Sequence, residues 1–317
     1  MRVSTVIPCY YSEATIAKVV TMTKAEFDAR GIEHEFILVN DGSTDGTFQE
    51  IEKLCQADDH IVGIDLAKNV GQHAAIMAGL RQVSGDVVMV MDDDMQTHPS
   101  QCMALLDSLD QATDVVFASY PKQKTAAWRR LGSAFTVWSM RVLTKRPKGI
   151  VSSSFFVMKR FVSDELIKYN GPYAYIQGLI FRTTWNIKNV EVKHFDREVG
   201  QSGYTLKTLF KLWSTVLGFS LLPLRFVFFS GIAVGCAGFI AGIVLIIQRL
   251  LDSTMQMGWS SLMVTLLLCS GFIMVSIGLV GEYLGRLFMT ANNTPQYVEK
   301  VLVDNRLLRR AHDADVR

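Results

Sequence analysis

The sequence predicts an α/β protein with a mostly parallel sheet, extended by an interfacial amphipathic helix and two transmembrane helices. Three observations lead there. Short apolar runs alternate with amphipathic helical patterns over the first 120 residues, as in sheets covered on both faces by helices. Val87-Val88-Met89-Val90-Met91 runs straight into Asp92-Asp93-Asp94, so one buried strand ends in carboxylates. Two segments, 226–248 and 262–281, contain no Asp, Glu, Lys or Arg. Each reaches the roughly 20 residues that cross a ~30 Å hydrocarbon core. Two buried core helices are the alternative, and the length of both runs stands against it.

Residues 3–7 form a first strand, closed by Pro8, and 13–30 a helix with Ile16, Val19, Val20 and Phe27 at helical spacing. A strand at 35–39 leads into Asn40-Asp41-Gly42-Ser43-Thr44-Asp45-Gly46-Thr47, a turn suited to cap a helix starting near Phe48. A strand at 61–65 precedes a helix at 72–83. The 87–91 strand precedes a helix at 100–109 and a strand at 114–118. Past Tyr120 the alternation loosens, with a polar loop at 122–124, a helix at 128–143 and strands at 153–158 and 190–195. Over 205–222, Leu206, Leu209, Phe210, Trp213, Val216 and Leu217 line one face beside Lys207 and Lys211. That pattern suits a helix lying at a membrane interface; a core helix is the alternative. The expected divisions are an α/β domain at 1–200, the interfacial helix at 201–224, a transmembrane hairpin at 225–288 and a tail at 289–317.

The net charge of +2 and the scattered basic residues exclude a nucleic-acid partner. Five dispersed cysteines without a CxxC pair read as free thiols in a reducing compartment. The N-terminus opens directly into a strand, with no basic-then-apolar leader. The loop between the spans holds one Arg and one Asp, whereas Lys300, Arg306, Arg309, Arg310 and Arg317 follow the second span. The positive-inside rule then places both termini in the cytoplasm.

In a parallel sheet the carboxyl ends of the strands share one edge. Asp41, Asp65, Asp92 and Asp94 are therefore expected to line a single cleft. Adjacent carboxylates repel, and a divalent cation offsets that charge most simply. Taken singly, Asp41-Gly42-Ser43 is also a common turn and Asp92-x-Asp94 a capped loop; EF-hand spacing is absent. A cation site tied to a bilayer suggests an enzyme joining a phosphate-bearing group to a lipid.

Val6-Ile7-Pro8-Cys9-Tyr10, Asn40-Asp41-Gly42-Ser43-Thr44-Asp45, Asn69-Val70-Gly71-Gln72 and Asp92-Asp93-Asp94-Met95-Gln96 together resemble family 2 glycosyltransferases. Within that family the chain is similar to the polyprenyl-phosphate branch, which includes the undecaprenyl-phosphate glucosyl- and aminoarabinose transferases and the dolichol-phosphate mannose synthases. The likeness continues in Arg197-Glu198-Val199-Gly200-Gln201-Ser202, Pro223-Leu224-Arg225 and the block 278–286. Residues 69–80 look most like the aminoarabinose subgroup. The resemblance implies a GT-A fold and metal-dependent, inverting transfer of one sugar from a nucleotide-sugar, expected to be a UDP-sugar, to undecaprenyl phosphate. Such a product serves lipopolysaccharide or other surface glycans after a flippase carries it across the bacterial inner membrane.

By the same resemblance, Pro8 and Tyr10 flank the uracil, Asp41 accepts from its N3–H, and Asp65 lies beside the base. Asp92 and Asp94, with Gln96, hold Mg²⁺ or Mn²⁺, and Arg197 serves as a fixed cation for a phosphate. A local pair with Asp196 or Glu198 is the plainer role for Arg197. Arg129, Arg130 and Ser202 are candidates for the lipid phosphate, although Arg129 and Arg130 equally suit a solvated helix face. Relatives suggest a tetramer, and Gly231, Gly235, Gly238 and Gly242 permit close helix packing.

One departure stands out. Many relatives have Gly-Asp-Phe-Arg where this chain reads Ser153-Ser154-Phe155-Phe156. A carboxylate role at 154 is thus absent or moved, with Asp93 the nearest substitute. Two rival functions follow: a non-catalytic, membrane-tethered sugar-nucleotide scaffold, and a processive polysaccharide synthase. The second needs more spans and a Gln-x-x-Arg-Trp block, neither of which is present.

Overall fold

The computed structural model describes residues 1–95, 97–120, 141, 144, 146–193, 222–251 and 258–306. The chain divides into two compact units, Met1–Val216 with Asn293–Arg317, and Leu217–Asn292.

The first unit is built on an eight-stranded sheet of order β7-β5-β6-β4-β1-β2-β3-β8. Its strands are β1 (Arg2–Cys9), β2 (Glu33–Asn40), β3 (Ile61–Leu66), β4 (Val87–Val90), β5 (Val115–Ser119), β6 (Phe156–Lys159), β7 (Ile187–Glu191) and β8 (Glu299–Asp304). Strand β1 is parallel to both β2 and β4, and β2 to β3, as continuous apolar strands require. Strands β6 and β8 run antiparallel to their neighbours. Helices α1 (Ile16–Asp28), α2 (Thr47–Ala57), α3 (Gln72–Leu80), α4 (Cys102–Asp107), α5 (Arg160–Leu166) and α6 (Ile176–Thr183) cover it. Ile16, Val19, Val20 and Phe27 of α1 are buried against Phe36 and Leu38 of β2, as the helical spacing predicts. Each such side chain contributes about 1.5–3 kcal/mol on burial.

Strand β1 continues through Pro8 to Cys9 rather than closing there. The missing N–H of Pro8 costs no ladder bond, because pairing with β4 stops at Val6↔Val90 while pairing with β2 continues to Cys9↔Asn40.

Several elements differ from the sequence reading. Strand β7 begins three residues before the expected 190 because Ile187–Glu191 is an edge strand with little apolar contrast. The helical run expected at 100–109 opens with a 3-10 turn, Pro99–Gln101, and its α-helical part is only α4. Helices α5 and α6 were not foreseen. The expected tail at 289–317 contains β8, which pairs with β3 through Asp65↔Val301 and its neighbours. Arg306 fixes this return by binding Glu35 at 2.9 Å. Arg2 meets the same carboxylate at 2.7 Å, and Ser4 and Ser84 also donate to it. The helices expected at 128–143 and 205–222 fall largely outside the described residues.

The second unit consists of α7 (Leu222–Leu251) and α8 (Trp259–Ala291). Leu222–Val244, with mean hydropathy 2.2, and Leu268–Ala291, with 1.6, are long and apolar enough to cross a membrane. Helix α8 extends past the expected 262–281 span to include Glu282 and Arg286, which pair at 2.9 Å one turn apart.

Candidate functional site

The carboxyl ends of β1, β2 and β4 open into a cleft of about 500 Å³. Pro8, Cys9, Tyr10, Asp41, Asn69, Gly71, Gln72, Asp92, Asp93 and Asp94 line it. Three of the four expected acids, Asp41, Asp92 and Asp94, therefore share one space. Asp65 is not among the lining residues: it accepts from Asn40 Nδ2 at 2.7 Å and pairs with Lys300 of β8 at 3.3 Å. Tyr10 exposes half its surface and stacks edge-on against Tyr11 at 4.6 Å, a face open to a planar ligand.

Asp41 is buried and organises the opposite wall. Its Oδ1 accepts from the Val70 amide at 2.7 Å and its Oδ2 from the Gly71 amide at 2.9 Å. The Asn69 side chain donates back to the Asp41 carbonyl at 3.2 Å. Gly42 allows this closure with φ +65°; a Cβ there would sit 2.5 Å from the Asn69 nitrogen and the Lys68 carbonyl carbon. Both are backbone atoms, so the loop itself must move. Gly42→Ala is expected to displace residues 68–71 and, from a strain of roughly 1–3 kcal/mol, to weaken binding of a nucleotide in this cleft by about 5- to 150-fold. Titration calorimetry with a uridine nucleotide checks this.

The three consecutive acids point to different tasks. Asp93 accepts from Ser12 Oγ and from the Tyr10 amide at 3.2 Å, tying the β4 end to the turn after β1. Asp92 accepts from Gln72 Nε2 at 2.6 Å and from Ser154 Oγ. Burial, with the like charges of Asp94 and Asp93, pushes the Asp92 carboxyl up to about 7, against the pull of those two hydrogen bonds. Burial likewise raises Asp93. Met95 takes φ 61° and turns the chain sharply behind Asp94. Hydrogen bonds from Ser12, Ser154 and Gln72 thus offset part of the repulsion for which a cation is the simplest remedy read from the sequence.

No group of three or more His, Cys, Asp or Glu side chains converges on one metal position among the described residues. The donor set still fits a hard cation: Asp92 and Asp94 are carboxylates lining the cleft, and Mg²⁺ usually takes one or two carboxylates plus substrate phosphates. Gln96, Arg129, Arg130, Arg197 and Ser202 lie outside the described residues.

Sequence reasoning gave no role to Gln72 or Ser12 and saw Ser154 only as a lost carboxylate. An Asp at 154 would set another negative charge beside Asp92, where Ser154 supplies a donor instead. Phe156 is fully buried and packs on Phe117 at 5.3 Å, so the neighbouring substitution fills the core. The signal for Ser154 was present in the departure from the relatives' pattern. Gln72 was visible as the last residue of the Asn69-Val70-Gly71-Gln72 block, but a glutamine opening a helix does not by itself announce a bond to Asp92.

Comparison with known proteins agrees with this geometry. The family model described as Glycosyl transferase family 2 matches residues 4–167. An undecaprenyl-phosphate 4-deoxy-4-formamido-L-arabinose transferase of Photorhabdus laumondii subsp. laumondii is 30% identical over 310 residues, covering 96% of this chain and 95% of the relative. The uncharacterized glycosyltransferase YkcC of Bacillus subtilis is 29% identical over 301 residues, covering 94% and 93%. Among solved structures, glucosyl-3-phosphoglycerate synthase from Mycobacterium tuberculosis, in complex with Mn²⁺, UDP and phosphoglyceric acid, shares the fold. Its TM-score is 0.52 at 20% identity, over 68% of this chain and 78% of that one. With its sheet-edge cleft, its GT-A-like fold and a family match over half its length, the chain belongs to glycosyl transferase family 2 and is a glycosyltransferase.

Proposed function

We propose that the protein transfers one sugar from a nucleotide-sugar, most simply a UDP-sugar, to a polyprenyl phosphate at a bacterial inner membrane. The observation that carries this reading is the cleft where Asp41, Asp92 and Asp94 meet, in a chain that also carries two long apolar helices. Relatives named as undecaprenyl-phosphate sugar transferases support the acceptor class.

The base lies against Pro8 and Tyr10 near the Asp41 wall, and the diphosphate extends toward Asp92 and Asp94. A bound Mg²⁺ or Mn²⁺, held by Asp92, Asp94 and Gln96, supplies charge stabilisation for the diphosphate. A phosphate monoester is already ionised at neutral pH, so its oxygen attacks without a strong general base. The new bond forms between that oxygen and the anomeric carbon as the bond to the diphosphate breaks. The electron pair leaves with the nucleoside diphosphate, and the anomeric configuration inverts. Arg197 stabilises a phosphate in this step.

A hairpin through the membrane is supported by the chain path. Strands β1–β7 precede the apolar helices, β8 follows them, and all belong to one sheet. That path favours both ends of the helical pair on one side of the bilayer, and the basic residues after the second span favour the cytoplasmic side.

The test is UDP release and product formation by purified full-length protein with a panel of UDP-sugars, Mn²⁺ or Mg²⁺, and undecaprenyl phosphate. Release that depends on the lipid, with a sugar-phospholipid product, is expected. Release at the same rate without the lipid would contradict the acceptor assignment. No release with any donor favours the scaffold instead.

A further inference from the structure

Native proteins leave few buried polar atoms without a hydrogen-bond partner. Among the described residues, three such atoms are His73 Nδ1, Arg146 Nε and Gln177 Oε1, and the first two belong to side chains that meet Tyr175, two residues before Gln177. Sequence neighbours of two of these residues, Gln72 and Ser154, hydrogen-bond Asp92. His73 follows Gln72, which donates to Asp92, and its ring meets Tyr175 edge-on at 5.1 Å. Gln177, in the first turn of α6, donates to the Ser153 carbonyl at 3.4 Å, and the next residue, Ser154, donates to Asp92. Arg146 lies within electrostatic reach of the Tyr175 phenol and of Arg141. Its amide donates to the Arg141 carbonyl at 3.1 Å, joining the two residues through the backbone.

Both arginines are half-buried, and neither pairs with a carboxylate among the described residues. Two like charges held together without an acid are costly, because buried charges are normally paired. A phosphate monoester carries nearly two negative charges and several acceptor oxygens, so it offsets both cations at once.

We propose that Arg146, with Arg141 beside it, anchors the phosphate of the acceptor lipid. This rests on the acceptor class given above and names the residues that hold it. The donor diphosphate is the other source of the same chemistry, and the experiment separates the two. Arg146→Gln and Arg146→Lys are compared with wild type as full-length proteins in detergent micelles. Equilibrium binding is measured for a polyprenyl phosphate and, separately, for UDP with Mn²⁺.

Arg146→Gln is expected to weaken polyprenyl-phosphate binding about 10–100-fold, the usual value of a charge-assisted hydrogen bond. Arg146→Lys restores part of it, and UDP binding stays within about twofold, which also shows that the site is folded. Unchanged lipid-phosphate binding in Arg146→Gln overturns the assignment. A parallel loss of UDP binding also overturns it, by moving the arginine to the donor. Wild-type protein that binds UDP but no polyprenyl phosphate overturns the underlying acceptor reading as well.

Discussion

Asp94→Asn is expected to lower sugar transfer by about 10²–10³-fold, the range seen when one electrostatic contact to a developing charge is removed. The side chain lines the cleft, so the amide keeps its shape and loses only the charge. Fold and stability should therefore hold, and thermal unfolding of the variant serves as the control. The substitution has a second, independent readout. Asp92 is raised to about 7 by burial and by the like charges of Asp94 and Asp93. A cation binds the ionised carboxylate, so Mn²⁺ affinity should rise with pH through about 7 in the wild type and level off well above it. Removing the Asp94 charge lets Asp92 ionise more easily, and that rise should move to lower pH. Mn²⁺ binding followed by electron paramagnetic resonance across pH 5–9 checks both; a profile indifferent to pH would separate Asp92 from the metal.

Arg306→Ala is expected to destabilise the sheet unit by about 2–4 kcal/mol, because removing one partner of a buried ion pair leaves the other charge poorly compensated. Glu35 is fully buried, and Arg306 binds it at 2.9 Å from the far end of the chain. Burial pushes the Glu35 carboxyl up, but hydrogen bonds from Ser4 and Ser84 and the charge of Arg306 outweigh that and hold it below the ordinary range. A carboxyl lowered in the folded state contributes stability above its unfolded-state value. That contribution is lost as pH falls through the folded-state value. Without Arg306 the folded value rises, so acid unfolding should begin at higher pH. Urea unfolding between pH 3 and 7 tests magnitude and direction together. An Arg306→Ala curve that overlays the wild type would show that β8 is held by its strand pairing alone.

Much of the first half of the fold was legible because its code is local. Residues 61–64 and 87–90 are apolar without interruption, and α1 shows its buried stripe at helical spacing. Strand β8 was not legible, since Glu299–Asp304 is a short edge strand whose partner, β3, precedes it by over 230 residues. The two apolar helices between them also suggested a tail rather than a return. At the site, the residue types that bear charge were visible and their hydrogen-bond partners were not. Asp41 announced itself at a strand end; its grip on the Val70 and Gly71 amides depends on how the 68–71 loop folds back. Asp65 has the same sequence signature yet belongs to the β3–β8 edge, where Lys300 meets it.

The most direct measurement is a structure of the full-length protein with UDP and Mn²⁺. The base is expected against Tyr10 and the Asp41 wall, with Asp94 at the ion that bridges to the diphosphate. A nucleotide bound outside this cleft, or a diphosphate beyond reach of both Asp92 and Asp94, would contradict the account.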